Sequence, residues 1–311
     1  MDEPDTLAGM KVAIVGAGLV GGAAGYAMVL RGSCTELVLV DIDADRAHAE
    51  AADISHAAPV SHPVRVSSGG DDFGSVAGAA VVVVTAGANQ KPGEDRLSLV
   101  GRNADIFRQI IPQTIAAAPQ AVLLVASNPV DIMTALTANL APQASVLGSG
   151  TVLDSARFRS LLSVRAGVAP QNMHALVLGE HGESEVLAWS SASVGGIPLA
   201  QVLSVDQTLR DEVERDTRQA AAQIIAGKGA TNYGVGAALA LITEAILKDR
   251  RAVLTVSGPS PYGPYLSLPR VVGAGGILRT LTPDLDSQEQ EALHHGAEVL
   301  TKAAQALPEL Q

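Results

Sequence analysis

Met10-Lys11-Val12-Ala13-Ile14-Val15-Gly16-Ala17-Gly18-Leu19-Val20-Gly21-Gly22 is the stretch that decides the fold. Met10 to Val15 is rich in β-branched residues and reads as a strand. An Ala-rich helical stretch follows, to about Leu30. Glycines 16, 18 and 21 fit GxGxxG in the setting that gives that pattern meaning, after a strand and opening a helix. The first glycine permits the turn, the second lets backbone approach a pyrophosphate, and the third allows close helix–sheet packing. The helix N-terminus then offers oriented N–H groups and positive potential to phosphates. A second strand, Glu36 to Val40, ends at Asp41, twenty residues after Gly21. An acid there accepts hydrogen bonds from the adenosine ribose and repels a 2′-phosphate, which favours NAD over NADP. Asp43 ranks second because it lies past the strand.

Working outward, the alternation continues as a helix (Ala44 to His56), a strand (Val64 to Ser67) and the apolar run Ala80 to Thr85. A helix from Arg96 to Ala118, a strand from Ala121 to Ala126, a helix from Val130 to Leu140 and a strand from Ser145 to Ser149 complete the first half. Strands without polar alternation, separated by helices, imply a parallel sheet covered on both faces. The expected fold is α/β: a Rossmann-type doubly wound parallel sheet over residues 1–150, with a disordered leader at 1–9. An α+β catalytic domain is expected over residues 151–311. Ligands of such sheets bind at the carboxyl ends of the strands. There, Ala86 to Arg96 carries two glycines, a proline and mixed charge, as a mobile lid would, although a solvated loop with an exposed Arg96 has the same composition. Asn128, after another strand, can offer its amide to a ligand or simply cap the helix behind Pro129.

In the second half, Met173 to Leu178 reads as one strand, delivering His181 to the turn Leu178-Gly179-Glu180-His181-Gly182-Glu183-Ser184. Glycines flanking an imidazole permit close approach and positive φ, and histidine moves protons near neutral pH. Asp154 and Arg157 are three apart and share a helix face, while Arg159 points to another side. His174 fits a tolerated edge histidine or a ligand-binding one. Two helices flank Gly227-Lys228-Gly229-Ala230-Thr231, which is not a P-loop: Ala222 replaces the required earlier glycine and no strand precedes it. Two or three strands between Ala252 and Leu281 and a C-terminal helix from Ser287 to Leu307 complete the chain.

Composition narrows the function classes. A length of 311 residues suits two domains sharing a cleft. The net charge of −11 argues against nucleic-acid and anionic-membrane partners. No run approaches the ~18 apolar residues of a spanning helix, and the N-terminus is acidic where a secretory signal is basic. Cys34 is the only cysteine, so neither an intrachain disulfide nor a cysteine-cluster metal site can form. The expected location is the cytoplasm.

A nicotinamide cofactor, a histidine, a carboxylate, two arginines and an amide suffice to move hydride to or from an alcohol carbon while His181 moves the proton. GAGLVGG, LVLVDID, AGANQKPGEDRL, ASNPVD, GSGTVLDSARFR, LGEHGES and GKGAT, in this order, resemble bacterial NAD-dependent L-lactate dehydrogenases over essentially the whole chain except the leader. The resemblance implies His181 as acid/base, oriented and made more basic by Asp154, with Arg157 gripping the substrate carboxylate and Arg96 polarising the carbonyl. It further implies that Asn128 bonds substrate oxygen and that Thr231 lines the pocket. Cofactor contacts are implied at Gly16, Gly18, Val20, Gly21, Asp41, Gly87, Ala88 and Asn128, with no metal. Related malate dehydrogenases carry arginine where this chain has Gln90, so a neutral Gln90 implies pyruvate rather than oxaloacetate. Arg159 and His174 match a pair that binds fructose 1,6-bisphosphate across a subunit interface, which implies an allosteric homotetramer. The rival within the class is a malate or broader 2-hydroxyacid dehydrogenase. An NAD- and metal-dependent glycosidase would need a cysteine–histidine site, and a silent NAD-binding protein would not need His181, Asp154, Arg157 and Arg96 together.

Overall fold

The computed structural model describes residues 10–88 and 96–310, and the side chains of 10–88 and 99–310. The leader and Gln90 therefore lie outside the described residues, as does the Arg96 side chain. The first half runs β1 (Lys11–Val15), α1 (Leu19–Arg31), β2 (Glu36–Val40), α2 (Ala44–Ser55), β3 (Arg65–Gly70) and β4 (Val81–Val84). It continues with α3 (Arg96–Ala117), β5 (Val122–Val125), α4 (Val130–Leu140) and β6 (Val146–Gly148). β1 to β6 are parallel, in the order β6-β5-β4-β1-β2-β3. The order reverses between β1 and β4, which creates the crevice where such sheets take ligands.

Successive side chains of a strand point to opposite faces, and here both faces are buried. Ala13, Val15, Val82 and Val84 join one core, while Val12, Ile14, Val81 and Val83 join the other. That is why these strands are continuous apolar runs rather than alternating ones.

The second half contains α5 (Val152–Ala166), β7 (Met173–His174), β8 (Val177–Leu178), β9 (Val186–Leu187), β10 (Ser193–Val194), β11 (Ile197–Pro198), α6 (Leu199–Val202), α7 (Gln207–Lys228) and α8 (Tyr233–Leu247). It ends with β12 (Ala252–Leu254), β13 (Ser257–Gly258), β14 (Leu266–Ser267), β15 (Arg270–Gly273), β16 (Gly276–Thr280) and α9 (Ser287–Ala304). Its own core gathers Phe158, Leu162, Met173, Val177, Leu187, Trp189 and Val213, with Phe158 edge-on to Trp189 at 4.9 Å between ring centroids.

Three features differ from the sequence expectation. Met173 to Leu178 is not one strand: β7 pairs with β10, whereas β8 pairs with β9. The region 252–281 holds five short strands rather than two or three. The parallel sheet is also extended, because β13 adds antiparallel to β6 through Ser257 and Gly148, and β14 adds to β13. Moreover, α8 lays Leu239, Ile242 and Ile246 into the core beneath β1 and β4. Its Gly236 passes so close to α1 that a Cβ there would sit 2.6 Å from the carbonyl carbon of Ala23.

Candidate active site

At the end of β1 the chain turns through Gly16 at φ +109°, where a Cβ would lie 2.4 Å from the backbone nitrogen of Ala86. Only glycine fits such a position. A Cβ on Gly21 would meet the Gly16 carbonyl oxygen at 1.9 Å, so α1 starts hard against the loop. Gly18 is the opposite case: a Cβ there meets no protein atom within 4 Å. Gly18 is also the N-cap of α1 and makes no side-chain cap, so the N-terminal N–H groups of the helix stay available to an anion. Val20 lies in this first turn. Asp41 closes the loop from β2, accepting from the N–H of Ala17 at 2.6 Å and of Asp43 at 2.9 Å. Asp43 is itself engaged in capping α2, accepting from the Arg46 N–H. This loop, helix terminus and acid fit a dinucleotide.

The next two strand ends are clamped together by a residue that sequence reading missed. Asn103, buried on α3, accepts from the Ala88 N–H at 2.7 Å and donates to the Asn128 carbonyl at 2.7 Å. Gly87 and Ala88 are thereby held beside Asn128. The helix-capping alternative for Asn128 fails, because the N-cap of α4 is Pro129 and no side chain caps it.

His181 sits in the turn between β8 and β9. Gly179 enters that turn at φ +85° and exchanges two 2.9 Å backbone hydrogen bonds with Ser267 of β14. Ser155 of α5 accepts from the Val177 N–H at 2.9 Å, and Thr151 donates to the Val177 carbonyl. The imidazole Nδ1 lies 2.6 Å from Asp154 Oδ2, while Arg157 donates to Asp154 Oδ1 at 2.7 Å. Asp154 is almost wholly buried, and the His181 side chain keeps 31% of its surface. One face of α5 thus carries the carboxylate that orients the ring and the guanidinium beside it, as their spacing implies. Thr231 lies half-buried in the loop between α7 and α8. The first turn of α8, which follows that loop, runs near α5, since a Cβ on Gly234 would lie 3.1 Å from Leu153.

Burial by itself would lower the histidine pKa, but the carboxylates of Asp154, Asp131 and Glu185 together outweigh it and raise it to about 9. Asp154 is pushed upward by burial and more strongly downward by His181 and Arg157, so it stays below the usual carboxylate range. Glu185 is raised to about 8 by burial and by the Asp154 charge, and its Oε1 has no hydrogen-bond partner. The arrangement suits an acid/base group that is cationic at neutral pH beside a fixed guanidinium.

Models of the lactate/malate dehydrogenase NAD-binding domain and of the lactate/malate dehydrogenase α/β C-terminal domain match residues 10–148 and 151–310. The chain belongs to the lactate/malate dehydrogenase family. Among its relatives in the family, an L-lactate dehydrogenase of Deinococcus radiodurans is 60% identical over 304 residues, covering 96% of this chain and 99% of the relative. An L-lactate dehydrogenase of Thermus aquaticus is 51% identical over 312 residues, covering 96% and 99%. The crystal structure of a minor L-lactate dehydrogenase from Enterococcus mundtii in a ligand-bound form superposes with a TM-score of 0.92 at 36% identity, over 96% of this chain and 98% of that one.

The structure joins His181, Asp154 and Arg157 by direct bonds. Arg159 and His174 fall elsewhere. Arg159 is half-buried on α5, and no carboxylate pairs with it among the described residues. His174 is exposed on β7, which packs against α5. Sequence reading also passed over Asp131, whose Oδ2 accepts from the His181 backbone N–H at 2.9 Å and whose Oδ1 accepts from the Ser257 hydroxyl at 2.6 Å. An acid in the first turn of a helix has an ordinary role there, so its type and position carried no signal.

Proposed function

We propose that this chain is an NAD-dependent L-lactate dehydrogenase, interconverting pyruvate with NADH and L-lactate with NAD. The observation that carries the reading is the 2.6 Å bond between His181 Nδ1 and Asp154 Oδ2, with Arg157 on the same carboxylate. Asp154 holds Nδ1 protonated, which leaves Nε2 to give a proton to the ketone oxygen or take one from the alcohol. A nicotinamide cofactor held at the glycine loop would supply or receive the hydride. In this reading Arg157 pairs with the substrate carboxylate, a planar fork that lysine does not reproduce. Arg96 starts α3 directly after the loop expected to close, and its charge would stabilise the developing alkoxide. Thr231 lines the substrate side of the pocket in this reading. Gln90 leaves a second carboxylate unpaired, which favours pyruvate over oxaloacetate. The names of the relatives support the same substrate.

The finer reading is a cytoplasmic homotetramer activated by fructose 1,6-bisphosphate. Its support is Arg159, a half-buried guanidinium whose pKa burial lowers and which lacks a carboxylate, as an anion-binding residue would. His174 is exposed on the neighbouring β7. NADH oxidation with pyruvate and with oxaloacetate, each with and without the bisphosphate, tests both levels. Strong pyruvate preference and a bisphosphate-dependent fall in half-saturating pyruvate are expected. Oxaloacetate preference would overturn the substrate, and unchanged saturation curves at pH 6 would overturn the effector.

A further inference from the structure

The catalytic turn has a second carboxylate behind it. Asp131 is fully buried in the first turn of α4, three residues after Asn128. One of its oxygens takes the main-chain N–H of His181 and the other takes the hydroxyl of Ser257, itself wholly buried on β13. The three groups come from parts of the chain far apart in sequence: a nucleotide-domain helix, the catalytic turn, and a strand added antiparallel to the sheet. We infer that Asp131 is a positioning residue for His181, fixing the peptide from which the imidazole projects and placing a second negative charge behind the imidazolium.

The surroundings fit this role. Burying a carboxylate is costly unless it is bonded, and Asp131 has one bond to each oxygen; an apolar side chain in its place would leave the His181 N–H and the buried Ser257 hydroxyl without that partner. Burial raises its pKa to about 6, so it is ionised over the range in which His181 titrates. A cation lies within electrostatic reach of it. Arg270 of β15 has no surface exposure, bonds two main-chain carbonyls and the Thr280 hydroxyl, and has no carboxylate in contact among the described residues. The Asp131 charge is among the influences that keep Arg270 protonated against its burial. The titratable groups that act on the ring are Asp154 from α5, Asp131 from α4 and Glu185 from the turn; around these, Arg157 pairs with Asp154, Glu180 and Arg270 act on Asp131, and Arg218 from α7 acts on Glu185. Asp131 is the one that joins the ring's backbone to the segment carrying Asn128. Position of the proton donor and position of the cofactor end of the sheet are thereby set by the same helix turn.

The inference rests on the acid/base reading of His181, and two variants separate charge from position. Asp131→Asn keeps an acceptor for the His181 N–H and can donate to Ser257, removing only the charge. Asp131→Ala removes both bonds. Each is compared with wild type as the NADH-loaded enzyme, by pH–rate profiles for pyruvate and by NMR titration of the His181 ring nitrogens. Asp131→Asn should keep kcat at pH 6 within about threefold while the ring pKa falls by about one unit. Asp131→Ala should lose kcat about thirtyfold or more at every pH with NADH affinity unchanged, and Asn should rescue most of that loss. If Asp131→Ala folds and keeps wild-type kcat, or if Asp131→Asn leaves the ring pKa unmoved, the inference is overturned. Should wild type fail to turn over pyruvate, the ring titration still reads the Asp131 contribution, so failure of the function is distinguishable from failure of the positioning role.

Discussion

Replacing Asp154 with Asn keeps the shape of the side chain and removes the charge on which His181 depends. A rise from an ordinary 6.5 to about 9 corresponds to about 3 kcal/mol in favour of the imidazolium, and partial solvent access to the ring reduces that to about 2. Burial alone acts in the opposite direction, so without Asp154 the pKa should drop to about 6.5 or below. At pH 7.5 the protonated fraction then falls from nearly all to roughly a tenth or less. The amide must also face either Arg157 or the Nδ1–H with an N–H of its own, which spoils ring orientation. Pyruvate reduction needs the protonated ring, so it is lost as pH rises through the histidine pKa, whereas lactate oxidation gains over the same range. The expected result is a fall in kcat/KM for pyruvate of about 100-fold or more at pH 7.5, with the alkaline limb moved from near 9 to below 7 and a smaller deficit at pH 6. NADH oxidation followed from pH 5.5 to 9.5 measures it. An alkaline limb still near 9 in the variant would refute the dominance of Asp154 in setting the histidine's charge.

Gln90→Arg should move preference towards oxaloacetate by about 100-fold or more in the ratio of kcat/KM values, read by the same assay with both substrates. Gly21→Ala drives a methyl into the Gly16 carbonyl at 1.9 Å; it should lower the melting temperature by several degrees, about 2 kcal/mol, and weaken NADH binding measured by fluorescence about tenfold or more. Glu185→Gln removes a buried carboxylate whose pKa is raised to about 8. The native state binds the extra proton, so wild type pays nothing below the ordinary carboxylate pKa and progressively more up to pH 8; the variant should match it at pH 4.5 and exceed it by about 2 kcal/mol in urea unfolding at pH 8.5.

Much of this is legible in the sequence. The helix from about Val130 to Leu140 is legible because Pro129 opens it. Asp154 and Arg157 were placed on one face by helical spacing alone. Other parts depended on partners distant in sequence. Alternation from Met173 to Leu178 reads as one strand, yet His174 pairs with Ser193 and Val177 with Leu187, and the break follows from those choices. β13 and β14 are two residues each, too short for any periodicity. Asn103, Asp131 and Glu185 are polar residues whose importance lies in what surrounds them: a carbonyl, a peptide N–H and another carboxylate, each supplied by a different element.

The added strands and α8 have a consequence for how such a chain can be divided. A polypeptide ending after residue 150 would include every parallel strand and the glycine loop, yet it would leave β6 as an unpaired edge and uncover the wall that Leu239, Ile242 and Ile246 shield. Open edges and bare apolar walls invite self-association. The nucleotide-binding half therefore cannot be expected to persist as an excisable module, and a gene fusion or permutation that respects only the boundary in sequence would inherit half of a sheet.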